Sequence, residues 1–245
     1  FSVGMLSITS ALSIYVIFPF LGFLVGLFFL PYFFKVKKAK QVLSEFLKFN
    51  GWVATFTIIA AISSRLDTFL SARFLSLDDV GIYSVAVTLT SFIPQVVFAI
   101  GTVVAPKLAS FTSKSEALVY LKKLQLFVLG IGVLGTVIGI PLSYLVIPSF
   151  YGSAYISSIH PFTILLFAQV MFLISIPVHT AVIYYFSYPK LFVYVTFVNF
   201  LILLFGGWVA ITNFGYIGAA WVFLVGNIIN FLIPGVWVLN KFRKT

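Results

Sequence analysis

Two ionisable residues, Arg65 and Asp67, stand inside an otherwise apolar run, TFTIIAAISSRLDTFLSARF. A guanidinium in such a setting offers a bidentate clamp for phosphate. A carboxylate offers a cation contact or a hydrogen-bond anchor. At i,i+2 on one helix the two point about 200° apart and cannot pair. Asp67 shares its face with Ser63, Ser64 and Ser71, a polar stripe expected to look into protein or water, whereas Arg65 shares its face with Ala61, Ile62 and Phe69. Two readings stand for each: Arg65 lines a polar cavity or snorkels to headgroups, and Asp67 contacts a ligand or ties neighbouring helices together. Pro94 and Gln95 fall within TSFIPQVVFAIG, and Pro177 precedes His179 in LISIPVHTAV. A proline removes a helical hydrogen bond, so Pro94 and Pro177 are candidate hinges, with an ordinary packing kink as the alternative. Gln95 is a candidate substrate contact beside the first of them.

Other chemistry finds little support. Cys is absent, so no thiolate nucleophile or thiolate metal site exists. His160 and His179 lie near opposite ends of one apolar stretch, about 28 Å apart on a helix, and cannot share a metal. No GxSxG and no glycine-rich phosphate loop occurs, and Glu45 and Glu116 border the apolar stretches. The expectation is a protein that is not an enzyme and that holds no cofactor and no metal.

The elements that position these residues follow from composition. Of 245 residues, 62% are hydrophobic, 19% aromatic and 8% charged, with mean hydropathy +1.17. A soluble domain carries roughly 25% charged residues, so a soluble enzyme, a disordered chain and a nucleic-acid binder are excluded. The chain reads as an all-α integral membrane protein. A crossing helix needs about 20 apolar residues, and seven stretches qualify: 8–34, 47–72, 80–105, 121–147, 159–186, 190–212 and 216–239.

Charge gives the orientation. Lys35, Lys37, Lys38, Lys40 and Lys48 occupy one loop, Lys107, Lys114, Lys122 and Lys123 another, Lys190 a third, and Lys241, Arg243 and Lys244 the tail. Basic connections alternate with non-basic ones, and only Arg65 and Arg73 among the cations depart from the basic side. The positive-inside rule then puts that side and the C-terminus in the cytoplasm. The absence of an initiator Met and of any charge in residues 1–34 reads as a fragment that starts partway through a longer protein.

Smaller signals mark boundaries and packing. Asp78 is a candidate N-cap, Ser113-x-x-Glu116 a candidate capping box, and Val42, Leu43, Phe46 and Leu47 an interfacial amphipathic face. Gln169, Asn199, Asn227 and Asn230 read as interhelical hydrogen-bond contacts. Gly130-x-Gly132 and Gly135-x-x-x-Gly139 read as packing faces.

The stretch from Lys40 to Ser110 resembles the polysaccharide-transporter branch of the multidrug/oligosaccharidyl-lipid/polysaccharide exporter superfamily. The resemblance rests on Ser64-Arg65-Leu66-Asp67 after a basic amphipathic linker, on Phe74-Leu75-Ser76, on Val80-Gly81-Ile82-Tyr83-Ser84-Val85-Ala86, and on VVAPKLASF, where Pro106 closes the third span. Tyr151-Gly152-Ser153-Ala154-Tyr155 and Ile164-Leu165-Leu166 are similar to the family's second lobe. The resemblance implies two six-helix lobes about a pseudo-two-fold axis. Residues 1–34 would hold the last helix of a truncated first lobe, 35–49 a cytoplasmic amphipathic linker, and 50–245 the second lobe with its cytoplasmic tail. It further implies a flippase in the cytoplasmic membrane that moves a polyprenyl-pyrophosphate-linked oligosaccharide by alternating access, with the lipid bilayer, the anionic lipid-linked sugar and the missing N-terminal lobe as partners. Arg65 would hold pyrophosphate, with Asp67 and Gln95 as further contacts. The alternatives are a cation-coupled drug or metabolite exporter and a non-transporting scaffold of a polysaccharide-synthesis complex.

Overall fold

A computed structural model describes residues 8–29 and 39–244. Among these residues every regular element is helical, which is the arrangement that satisfies backbone groups within each segment where water is absent. Lys35, Lys37 and Lys38, and residues 30–34 of the first expected span, lie outside the described residues. The chain divides into two units, residues 1–46 and 47–245. In the first, helix α1 covers Ile8–Phe28 and is apolar along its length.

Helix α2, Ala39–Ser63, leads into the second unit and is followed by α3, Leu66–Phe74. Next come α4, Leu77–Thr90, and α5, Phe92–Ser110, then the unbroken α6, Lys114–Tyr151. A 3-10 turn at Ser153–Ser158 precedes α7, Ile159–Ile174, and α8, Ile176–Thr180, which passes into a π-helical turn at Ala181–Tyr185. Helix α9, Lys190–Leu201, runs through a second π-helical turn, Ile202–Gly206, into α10, Gly207–Lys244.

Among the described residues, five stretches are long and apolar enough to cross a bilayer: Val42–Phe74, Leu77–Ser110, Lys114–Tyr151, Ser153–Tyr185 and Lys190–Lys244. The fourth is the hub. Its most apolar window is 61% buried, against 11–22% for the others. A helix that is hydrophobic all round belongs inside a bundle, and α7 accordingly packs against α4, α5, α6 and α10. The remaining helices turn large apolar side chains outward, among them Phe127, Leu134, Tyr144, Phe197 and Phe205. Hydrocarbon, unlike water, does not penalise that surface.

The last stretch is 55 residues long, which at 1.5 Å per residue far exceeds a hydrocarbon core of about 30 Å. It folds back at Gly215, whose φ of 62° and ψ of −146° lie where only glycine is comfortable. The arms then meet through small residues in antiparallel register. Gly218 lies against the Ala210 carbonyl, a Cβ on Gly206 would sit 3.7 Å from Val222, and Gly226 abuts the Asn199 side chain. Close backbone approach of this kind is how helices associate in lipid.

Of the glycine pairs on α6, one member of each contacts α7. A Cβ on Gly139 would lie 3.1 Å from Leu166 and one on Gly132 would meet Val170 at 2.8 Å, while Gly130 and Gly135 face open space. The contacting pair is spaced i,i+7, two turns along one face. Two boundary expectations are corrected. Ser76, rather than Asp78, caps α4, its Oγ accepting the Asp79 N–H at 3.2 Å. Pro106 does not close α5, which runs one further turn to Ser110. Ser113 does begin α6 but makes no side-chain cap, its Oγ lying 3.0 Å from Ser115 Oγ.

The Gly215 geometry predicts that Gly215→Ala lowers stability by about 1–3 kcal/mol. Gly235→Ala, inside α10 with nothing within 4 Å of the added methyl, does not lower it and raises it by about 0.5–1 kcal/mol. Thermal unfolding midpoints of the purified protein in detergent check both.

Candidate functional site

The helix carrying Arg65 and Asp67 is not continuous. Helix α2 ends at Ser63, the Arg65 N–H bonds back to the Ile62 carbonyl at 3.3 Å, and α3 restarts at Leu66. Serine hydroxyls take up carbonyls at the break: Ser63 Oγ donates to Ile59 O at 2.7 Å and Ser64 Oγ to Ala61 O at 2.8 Å. Arg65 sits at the break with φ −118° and ψ −4° and is exposed. Asp67 is buried, 8% exposed, and Tyr83 of α4 donates its hydroxyl to Oδ2 at 2.8 Å. Thr68 Oγ1 lies 3.4 Å from Oδ1. Ser63 and Ser71 are buried on the same side, as the polar stripe predicts, but Ser64 is exposed. Ser71 Oγ is buried with no hydrogen-bond partner. Asp67 therefore ties α3 to α4, and among the described residues no ion pair joins it to Arg65.

The two expected kinks share one construction. Helix α4 stops at Thr90, Ser91 forms the turn, and Pro94 falls in the first turn of α5. Helix α7 stops at Ile174, Ser175 forms the turn, and Pro177 is the second residue of α8. The chain breaks ahead of each proline because the first turn of a new helix is where a missing N–H costs nothing. Each turn serine back-bonds: Ser91 Oγ to Thr88 O at 2.7 Å and Ser175 Oγ to Phe172 O at 2.6 Å. Gln95 is exposed on α5, and among the described residues no hydrogen bond joins Arg65, Asp67 and Gln95.

Side chains from other helices complete the second break. Gln125 of α6 donates Nε2–H to the Ile174 carbonyl at 3.0 Å, at the end of α7 where Pro177 removes a donor from the following turn. His179 Nε2 lies 2.9 Å from the Asn230 carbonyl of α10. That carbonyl is four residues before Pro234, which has no N–H to give it. Nε2 must therefore carry the proton. The ring stands edge-on to Phe192 at 4.8 Å, with Nδ1 3.5 Å from Ser175 Oγ.

The four amides expected to bridge helices do so through no side-chain hydrogen bond. Asn227 bonds its own helix at Phe223 O, Asn199 Oδ1 is buried without a partner, and Asn230 contributes only its carbonyl. The bridges are instead Tyr83–Asp67, Gln125–Ile174 and His179–Asn230. Gln125 and Tyr83 were not singled out from sequence. Counting four residues back from each proline does find Asn230. Among the described residues no cluster of three His, Asp or Glu is suited to a metal.

The family described as "Polysaccharide biosynthesis protein" matches residues 3–161, which include Arg65, Asp67, Tyr83, Pro94 and Gln125. No curated protein and no solved structure matches the chain.

These contacts predict that Tyr83→Phe and Gln125→Leu each lower stability by about 1–2 kcal/mol, the upper range for buried polar contacts between membrane helices. The exposed Gln95→Leu changes it by less than about 0.5 kcal/mol. Unfolding titrations of purified variants in mixed micelles measure the differences.

Proposed function

The chain belongs to the polysaccharide biosynthesis protein family, and from that premise we propose that it is the lipid-embedded part of a transporter that flips a polyprenyl-pyrophosphate-linked oligosaccharide. The observation that carries the reading is Arg65. It is a permanently charged group in an apolar span, set at a helix break, exposed and not neutralised by the carboxylate two residues away. A guanidinium so placed suits a pyrophosphate passing between leaflets, because it replaces lost headgroup hydration with paired N–H donors.

Asp67 acts in this reading as the structural support of the break rather than as a ligand, its carboxylate being engaged by Tyr83. Gln95, exposed on α5, is a further substrate contact, and Pro94 and Pro177 are the hinges. Substrate would cross by alternating access, with the helix breaks absorbing the motion as repeat-built transporters do. The fold at Gly215 supports counting Lys190–Lys244 twice, and α1 adds one more crossing to give seven. The basic ends then lie in the cytoplasm and the protein in the cell membrane. A cation-coupled exporter of drugs is favoured less, because its site calls for accessible embedded carboxylates and the only one here is occupied. No catalytic chemistry enters this reading.

In the intact protein, Arg65→Ala abolishes export of the polysaccharide at normal expression, and Arg65→Lys, which keeps the charge but loses the bidentate fork, retains part of it. Quantifying surface polymer in complemented cells decides the matter. Full export by the Ala variant removes Arg65 from the mechanism.

A further inference from the structure

Where the Ser153–Tyr185 span ends and the Lys190–Lys244 segment begins, rings and cations form a belt of two groups, one around Lys190 and one around Trp237. The Lys190 ammonium lies 5.3 Å from the Trp52 ring centroid and 6.0 Å from that of Tyr194. Two residues earlier, Tyr188 stacks on Trp237 at 5.2 Å with an interplanar angle of 11°, and Lys241 approaches the Trp237 ring at 5.4 Å. Phe186 stands edge-on to both Trp237 and Phe242. The backbone is bent to make this arrangement. Ser187 takes φ 50°, unusual without glycine, and the Tyr188 N–H closes the turn onto the Val182 carbonyl at 2.9 Å.

The charge of the belt is one-sided. All five acidic residues lie at or before Glu116, and among the described residues no carboxylate lies within ion-pair distance of the half-buried Lys190. Aromatic faces hold an ammonium in place without neutralising it. Lys190 is therefore a fixed cation awaiting an anion.

The surroundings of Lys190 say which anion. Lys190, Tyr194 and Phe197 recur at i, i+4 and i+7, one face of α9. Tyr194 is 58% and Phe197 51% exposed. That face passes from a cation, through an amphipathic ring, to a purely apolar ring. A phospholipid shows the same order, from phosphate through the glycerol region to acyl chain, and Tyr and Trp favour that interfacial depth. A soluble phosphate would make no use of Tyr194 or Phe197. We infer that the belt centred on Lys190, Trp52 and Tyr194 binds the phosphate headgroup of an anionic membrane phospholipid, with an acyl chain along the Tyr194–Phe197 face. The inference is independent of what the protein transports.

The test uses the full chain in phosphatidylcholine vesicles, with Trp208→Phe, Trp221→Phe and Trp237→Phe so that emission comes from Trp52 alone, beside Lys190. Quenching by brominated phosphatidylglycerol is compared with quenching by brominated phosphatidylcholine. Relative association of phosphatidylglycerol is expected to be roughly fivefold, the factor that one basic residue at a membrane surface supplies. It falls to near one in Lys190→Gln and is kept in Lys190→Arg. Tyr194→Leu, at an exposed position, lowers it about twofold. Equal association of the two lipids with Lys190 and Tyr194 intact overturns the inference, and so does a preference that survives both Lys190→Gln and Tyr194→Leu. Loss of the preference on adding inorganic phosphate at constant ionic strength also overturns it, by making the ligand a soluble anion.

Discussion

A peptide group in hydrocarbon has no water to turn to, and every carbonyl left open by a helix break must be answered by something else in the chain. The second unit contains several such breaks, and side chains bond to carbonyls at each of them. Ser64 takes the Ala61 carbonyl at the break before Asp67 and Gln125 the Ile174 carbonyl at the one before Pro177, while the hydroxyls of Ser91 and Ser175 add a second bond to carbonyls that already accept the same residue's N–H. His179 serves the carbonyl that Pro234 leaves without a donor. Ser64, Gln125 and His179 are best understood as caretakers of interrupted backbone. Arg65 has no such role, and that is why it carries the functional proposal.

The same solvent explains the packing. Apolar side chains gain little by leaving lipid, so close approach of backbones and a few interhelical hydrogen bonds hold the bundle together. Helix α7 is enclosed on several sides, with Gly132 and Gly139 of α6 giving Val170 and Leu166 room to approach. The final hairpin is drawn together by Gly206, Gly218 and Gly226. Breaks beside such tight contacts give a helix two well-defined segments rather than general looseness, which suits a protein proposed to rock between states.

Much of this was legible from residue order. Helical class and the apolar stretches follow from hydropathy, and the stripe of Ser63, Ser64, Asp67 and Ser71 marks a polar face, of which Ser64 is exposed and the rest are buried. The kinks were read at Pro94 and Pro177, but the chain breaks two or three residues earlier, because proline moves into the first turn of the next helix instead of distorting the middle of one. Tyr83 was hidden because its partner lies sixteen residues away, a pairing that depends on how α3 and α4 pack. Gln125 stands beside Lys122 and Lys123, where a polar residue reads as part of a solvated border. The amides Gln169, Asn199, Asn227 and Asn230 attracted attention by type alone, and type does not tell whether a side chain finds a neighbouring helix or its own.

The account rests on helices threaded through a bilayer with their basic ends on one side. Since the chain has no cysteine, single cysteines placed at Lys123 and at Ser153, at opposite ends of the α6 crossing, report sidedness without background. A membrane-impermeant maleimide applied to intact cells is predicted to modify Ser153→Cys and to reach Lys123→Cys only after the membrane is opened. Labelling of both positions in intact cells, or of Lys123→Cys alone, would contradict the account.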